Sequence, residues 1–211
     1  MCNCEIKITE DDLSLLRAMI SGRMSVERFE HTLGVERAAA SLGEKVMPER
    51  VNELRAAALL HDVTKELELH EHLSLIDECN NIDKNDRCTE AALHSFSAVA
   101  VIIKDFSKFA TTDILNAVMF HTLGDPSMNL FAEIIYLSDY IEDGRTYSDC
   151  VEVRTMLANA LYTSQSTSVA IRHIHNAVLD TIERTVKSVI ARGKSVDPRT
   201  LNTKIAIQAL I

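Results

Sequence analysis

The sequence predicts an all-α protein: a compact helical bundle with a short C-terminal helical extension. Three observations carry that expectation. Only six Gly and three Pro interrupt 211 residues, too few for the many turns of an all-β fold. Long segments repeat apolar residues at i, i+3, i+4 and i+7, the period of an amphipathic helix. A hydrophobic share of 46% with mean hydropathy of +0.01 is ordinary for a soluble globular chain, long enough to bury a sizeable core.

The elements follow in order. "MCNCEIKITEDD" is acidic and lacks the apolar run of a signal peptide. Thr9 with Asp12 forms a capping-box pattern, and residues 1–24 are expected to make a helical segment packed on a domain spanning 25–211. Ser25 can cap the helix "VERFEHTLGVERAAASLGEKV". Pro48 suits the first turn of a helix that runs into "HDVTK". The polar "CNNIDKNDRC" reads as a loop before a helix near "AALHSFSAVAVIIKDF". Thr112 or Asp113 can open "ILNAVMFHTLG", which Gly124, Asp125 and Pro126 end. "MNLFAEIIYLSDYIED" comes next. One long amphipathic stretch follows near 165–192, and Asp197 with Pro198 opens a last short helix. "HEH" at His70 and His72 and "HIH" at His173 and His175 read as partly exposed helix positions.

Charge and cysteines exclude several classes. Net charge is -9, and no Lys/Arg cluster is long enough to give the basic face of a nucleic-acid binder. No apolar stretch approaches the roughly 20 residues of a membrane span, so a cytoplasmic protein is expected. Five cysteines, Cys2, Cys4, Cys79, Cys88 and Cys150, are an odd number without zinc-ribbon spacing and read as reduced thiols.

Chemistry enters at "ELRAAALLHDVTKEL". On a helix, His61 continues the stripe of Leu54, Ala57 and Ala58, and Asp62 sits one step round. Burying that carboxylate costs several kcal/mol unless a partner such as a metal ion compensates it. Other segments repeat the theme. His31 shares a stripe with Val35 and Ala38, and His94 with Ala98, Val101 and Ile102. His121 follows Ile114, Ala117 and Val118, and Asp139 follows Ala132, Ile135 and Tyr136. A lone histidine on an apolar face is more often a hydrogen-bonded core residue. Six such residues on five helices instead match how a bundle builds a metal site from facing side chains.

The ordered pattern is H…HD…H…H…D. In it "RFEHTLGV", "AALLHDVTK", "HSFSAVA", "MFHTLG" and "YLSDYIEDGR" together resemble the HD-domain metal-dependent phosphohydrolases. More narrowly, they are similar to the YqeK-type bacterial group of symmetrical bis(5′-nucleosyl)-tetraphosphatases, to whose ending "DPRTLNTKIAIQALI" is also similar. The resemblance implies a dinuclear centre, with His31, His61, Asp62 and Asp139 on one metal and His94 and His121 on a second that Asp62 bridges. It implies iron, while imidazole and carboxylate ligands equally suit manganese or zinc.

The implied reaction is hydrolysis of a dinucleoside tetraphosphate to two nucleoside diphosphates by water that the metals activate. Lys65, one helical turn from His61, is the first candidate to contact the polyphosphate and assist the reaction. Arg145 could grip phosphate as a fork or pair with Glu142 or Asp143. Arg28 lies one turn before His31, and Thr122 could supply a hydroxyl beside His121. Two departures stand out: Ser97–Ala98 replaces the group's Gly–Ala pair, which bears on how closely phosphate approaches, and "IEDGR" lacks its usual proline. Two other functions fit the ligands: another HD-type 5′-nucleotidase or phosphodiesterase, and a non-catalytic nucleotide-binding module. Spare apolar surface on the C-terminal helices leaves room for a homodimer.

Overall fold

A computed structural model describes residues 7–79, 82 and 89–211. Cys2, Cys4, Cys88 and most of the polar loop "CNNIDKNDRC" lie outside the described residues. The fold is all-α, with no strand among the described residues. Its α-helices are α1 (Glu10–Ser21), α2 (Val26–Val46), α3 (Val51–Leu60), α4 (Leu69–Glu78), α5 (Leu93–Asp105), α6 (Thr112–Phe120), α7 (Leu130–Ile141), α8 (Ser148–Thr163), α9 (Thr167–Ala191) and α10 (Pro198–Gln208).

Local signals account for most helix starts. Thr9 accepts from the Asp12 backbone while the Asp12 carboxylate accepts from Thr9, a complete capping box on α1. Ser25 Oγ accepts from the Arg28 amide to start α2, and Asp197 followed by Pro198 starts α10. The structure corrects three details. Thr111, one residue before the expected caps, accepts from Ile114 N and opens α6. Pro48 begins a 3₁₀ turn, so α3 starts at Val51 and stops at Leu60, leaving "HDVTK" in the turn beyond it. The sequence also hid α8, which buries only Cys150, Val153 and Leu157 and so shows little amphipathic pattern.

Helix α3 is the hub and packs on α1, α2, α6 and α7. It is short, yet Leu54 and the run Ala56–Leu60 are all buried, and small alanines let neighbours approach closely. Helix α7 is covered almost all round, burying Phe131, Ala132, Ile134, Ile135 and Leu137. Each of the larger side chains contributes about 1.5–3 kcal/mol of transfer free energy. Such a helix gives Asp139 a rigid mount. Buried Glu36 on α2 takes the guanidinium of Arg17 from α1 and that of Arg55 from α3, tying three helices at one carboxylate. Helix α9 covers α7, and α10 lies on α9 and props the turn after α6: Thr200 donates to the Leu123 carbonyl. Gly124 in that turn has φ +75°, a conformation glycine adopts at no steric cost. No helix among the described residues is long and apolar enough to cross a membrane. Cys79 and Cys150 are free thiols.

Asp12 offers a check on the capping box. Its carboxyl is lowered to about 2, chiefly by Lys108 at 2.5 Å and then by the Thr9 backbone and hydroxyl. The folded value lies below the ordinary 3.8, so this stabilisation is present above about pH 4 and is lost as pH falls toward 2. Urea unfolding of Asp12→Asn against the parent should show a stability gap at pH 6 that closes by pH 2.

Candidate metal centre

All six sequence-predicted ligands meet around Asp62, which sits in the turn just past α3. Its Oδ2 faces His61 Nε2 at 3.4 Å and His31 Nε2 at 3.8 Å. Its Oδ1 faces His94 Nε2 at 3.3 Å and His121 Nε2 at 3.5 Å. Asp139 Oδ1 lies 3.1 Å from His31 Nε2. Ligand atoms of His31, His61 and Asp139 fall within 4.8 Å of one another, as do those of His61, Asp62 and His121. His94 belongs to neither triplet and joins through Asp62 Oδ1 and through His121, whose Nε2 is 3.1 Å from its own.

Local backbone chemistry aims these rings. His61 and His121 are the C-cap residues of α3 and α6, still with helical φ and ψ. Each donates Nδ1–H to the carbonyl three residues back, Ala58 at 2.6 Å and Val118 at 2.7 Å. The same device, used twice, selects the tautomer whose Nε2 lone pair points at the cluster. His31 reaches that state differently: its Nδ1 lies 3.2 Å from the Glu142 carboxylate, leaving Nε2 for the centre. Glu142 is buried and also accepts from Gly144 N at 2.6 Å. Gly34, one turn past His31, makes room for it, since a Cβ there would lie 2.4 Å from Glu142 Oε2.

His94 is held from behind. A hydrogen-bond chain runs from His72 Nδ1 to Ser97 Oγ (2.7 Å) and on to Thr64 Oγ1 (2.8 Å), and Thr64 O–H donates to the His94 carbonyl (2.8 Å). His72 is therefore buried, correcting its reading as partly exposed. Ser97 turns into this hydrogen-bond chain and is not in the wall of the pocket that opens onto His31, Asp62 and Asp139. The other extra histidines stay outside the site: His70 is exposed, and half-buried His175 pairs with Glu133 at 2.7 Å.

The electrostatics suit a cation. Burial alone would raise the Asp62 carboxyl, yet the imidazoles of His61 and His121 hold it well below the usual carboxylate range. Asp139 is half-buried, and its carboxyl is lowered by His31 and Arg145. Burial and neighbouring His121 push His94 down to about 2, so its ring is neutral and its lone pair is available. His31 is raised: burial opposes charge, but Asp139 and Glu142 outweigh it. His31 Nε2, His61 Nε2 and Asp62 Oδ1 are buried without hydrogen-bond partners. Orphaned acceptors of that kind, converging from imidazole and carboxylate, fit a divalent metal.

Cations ring the cluster. Arg28 donates to Asp62 Oδ2 at 2.9 Å, and Arg145 pairs with Asp139 rather than with Glu142 or Asp143. Lys65 Nζ is 3.0 Å from His94 Nε2 and 4.0 Å from Asp62 Oδ1, and burial lowers its pKa. Thr122 Oγ1 lies 3.1 Å from Nε2 of both His94 and His121. A pocket of about 1020 Å³ opens onto His31, Asp62 and Asp139. Arg28, Lys65, Arg145, Arg37 and Tyr147 are in its wall, while His94 and His121 stay buried beneath it. Sequence reasoning missed Glu142, His72, Arg37 and Tyr147. Glu142 and Tyr147 flank "DGRT" and carried no periodic signal.

Comparison with known proteins places this arrangement. The HD-domain family model matches residues 28–144, the span holding all six candidate ligands. A symmetrical bis(5′-nucleosyl)-tetraphosphatase of Halalkalibacterium halodurans is 26% identical over 187 residues, covering 88% of this chain and 91% of the relative. The Bacillus subtilis protein of the same name is 25% identical over 190 residues, covering 88% and 92%. A Clostridium acetobutylicum crystal structure described as a "predicted HD superfamily hydrolase involved in NAD metabolism" is similar with a TM-score of 0.76 and 26% identity, covering 93% of this chain and 96% of that one.

Proposed function

This chain belongs to the HD-domain family, and on that premise we propose that it is a metal-dependent hydrolase that splits dinucleoside tetraphosphates at the centre, turning diadenosine tetraphosphate and water into two ADP. The observation that carries the reading is Asp62, its two oxygens divided between two pairs of imidazoles beneath a cation-lined pocket. Relatives named for this reaction match most of the chain and support the substrate class.

In this reading His31, His61, Asp62 and Asp139 would hold one divalent ion, and His94 and His121, with Asp62, would hold a second. Iron is the metal the family resemblance implies, with manganese and others as alternatives, since imidazole with carboxylate suits each of them. When bound, the ions supply Lewis acidity, lowering the pKa of a water and polarising a phosphoryl oxygen.

The protein's own groups do the rest. Glu142 and the Ala58 and Val118 carbonyls keep three imidazoles in the accepting tautomer. Arg28, Lys65 and Arg145 spread positive charge along the phosphate chain, with the Arg forks gripping paired oxygens. Water oxygen bonds to one inner phosphorus, the bond from that phosphorus to the central bridging oxygen breaks, the electron pair leaves on the second ADP, and the water's protons pass to solvent. A terminal phosphate with pKa near 6 is a good leaving group at neutral pH, so Lys65 serves by charge rather than by giving up a proton.

Product analysis tests the proposal. Diadenosine tetraphosphate should give ADP alone on anion exchange, and metal analysis about two ions per chain. ATP with AMP would overturn central cleavage. Preferred hydrolysis of nucleoside monophosphates would move the chain to the 5′-nucleotidase reading.

A further inference from the structure

We propose that Tyr147 is the platform on which this pocket stacks a nucleobase of its substrate; the inference rests on the phosphohydrolase reading above and extends it to the nucleoside. The cluster contributes only His31, Asp62 and Asp139 to the cavity wall. The cavity's volume, about 1020 Å³, exceeds what a phosphate chain alone needs, and among the described residues Tyr147 is the only aromatic in its wall besides His31. The residue is 74% exposed, although the chain has only four tyrosines and no tryptophan.

Two features make that exposure purposeful. First, the segment carrying Tyr147 is clamped. Arg154 on α8 donates Nε–H to the Ile141 carbonyl at 2.6 Å, and its Nη2 reaches the carbonyls of Glu142 at 2.5 Å and Arg145 at 2.7 Å. Tyr147 is itself the N-cap residue of α8, its carbonyl accepting from Val151 N at 3.0 Å. An aromatic ring on a fixed backbone costs little entropy to engage. Second, the order of groups along the segment matches the order within a nucleotide. Arg145 stands against Asp139 at the cluster, and Tyr147 follows two residues later, at most about 7 Å further along the chain. A phosphate gripped by Arg145 would lead through ribose to a base at Tyr147. Every base has a π-face, so such a platform holds the nucleoside without choosing its identity.

Calorimetric titration of ADP and of inorganic pyrophosphate, in one metal-containing buffer, separates base from phosphate. Tyr147→Ala should weaken ADP binding roughly 5- to 150-fold, the range for loss of one stacked base. It should leave pyrophosphate binding unchanged, and Tyr147→Phe should bind ADP like the parent. The platform is overturned if Tyr147→Ala binds ADP normally, if it loses pyrophosphate equally, or if Tyr147→Phe falls as far as alanine. A parent that binds pyrophosphate as tightly as ADP also overturns it while sparing the phosphate reading. A parent that binds neither brings down the phosphohydrolase reading itself.

Discussion

Asp62→Ala is expected to lose turnover by roughly a thousandfold or more, since metal-ion catalysis supplies several kcal/mol to the transition state and about 1.4 kcal/mol is tenfold in rate. Asp62 is the residue that all four candidate imidazole ligands approach, with their Nε2 atoms between 3.3 and 3.8 Å of its oxygens. Removing it takes charge from both halves of the cluster at once. The helices should survive, because the side chain lies past the end of α3 and the core around Leu54 to Leu60 is apolar. Far-ultraviolet circular dichroism should therefore match the parent, while metal content drops below one ion per chain.

Arg28→Ala gives the contrast that ranks the roles. Arg28 also touches Asp62, at 2.9 Å, but through a side chain that lines the pocket. Loss of such a supporting contact typically costs about 10- to 100-fold. If Asp62→Ala retained full metal content and a tenth of parental activity, the six residues would not form the working centre.

The sequence showed which residues would meet, but not how they are aimed. His61 and His121 were legible because each continues an apolar stripe into a helix end. That both sit at C-caps was hidden, since their dihedrals remain helical after the hydrogen-bond ladder stops. Thr111, Thr112 and Asp113 are three adjacent good caps, so composition alone left the start of α6 open. Ser97 read as a departure at the phosphate approach because its partners, Thr64 and His72, come from other segments. Glu142 was invisible for the same reason. Its importance depends on a glycine in α2, and no local pattern links the two.

That pairing yields the second large effect. In Gly34→Ala the new Cβ would stand 3.2 Å from Glu142 Cδ and 2.4 Å from its Oε2, the latter closer than a Cβ comes to any atom. Glu142 has little room to give, because Oε2 accepts from Gly144 N at 2.6 Å and Oε1 faces His31 Nδ1 at 3.2 Å. Moving the carboxylate frees the His31 ring and its tautomer, for which about 10- to 100-fold in metal affinity or activity is expected. Global stability should change less, since alanine favours a helix over glycine by about 1 kcal/mol and offsets part of an overpacking cost of about 1–3 kcal/mol. A merely structural glycine would show the opposite balance. Glu142→Ala alone should lose a similar factor in metal affinity. With the carboxylate gone, Gly34→Ala has nothing left to displace, so the double variant should bind metal like Glu142→Ala. Fully additive losses in that cycle would mean that Gly34 acts on the centre by some other route.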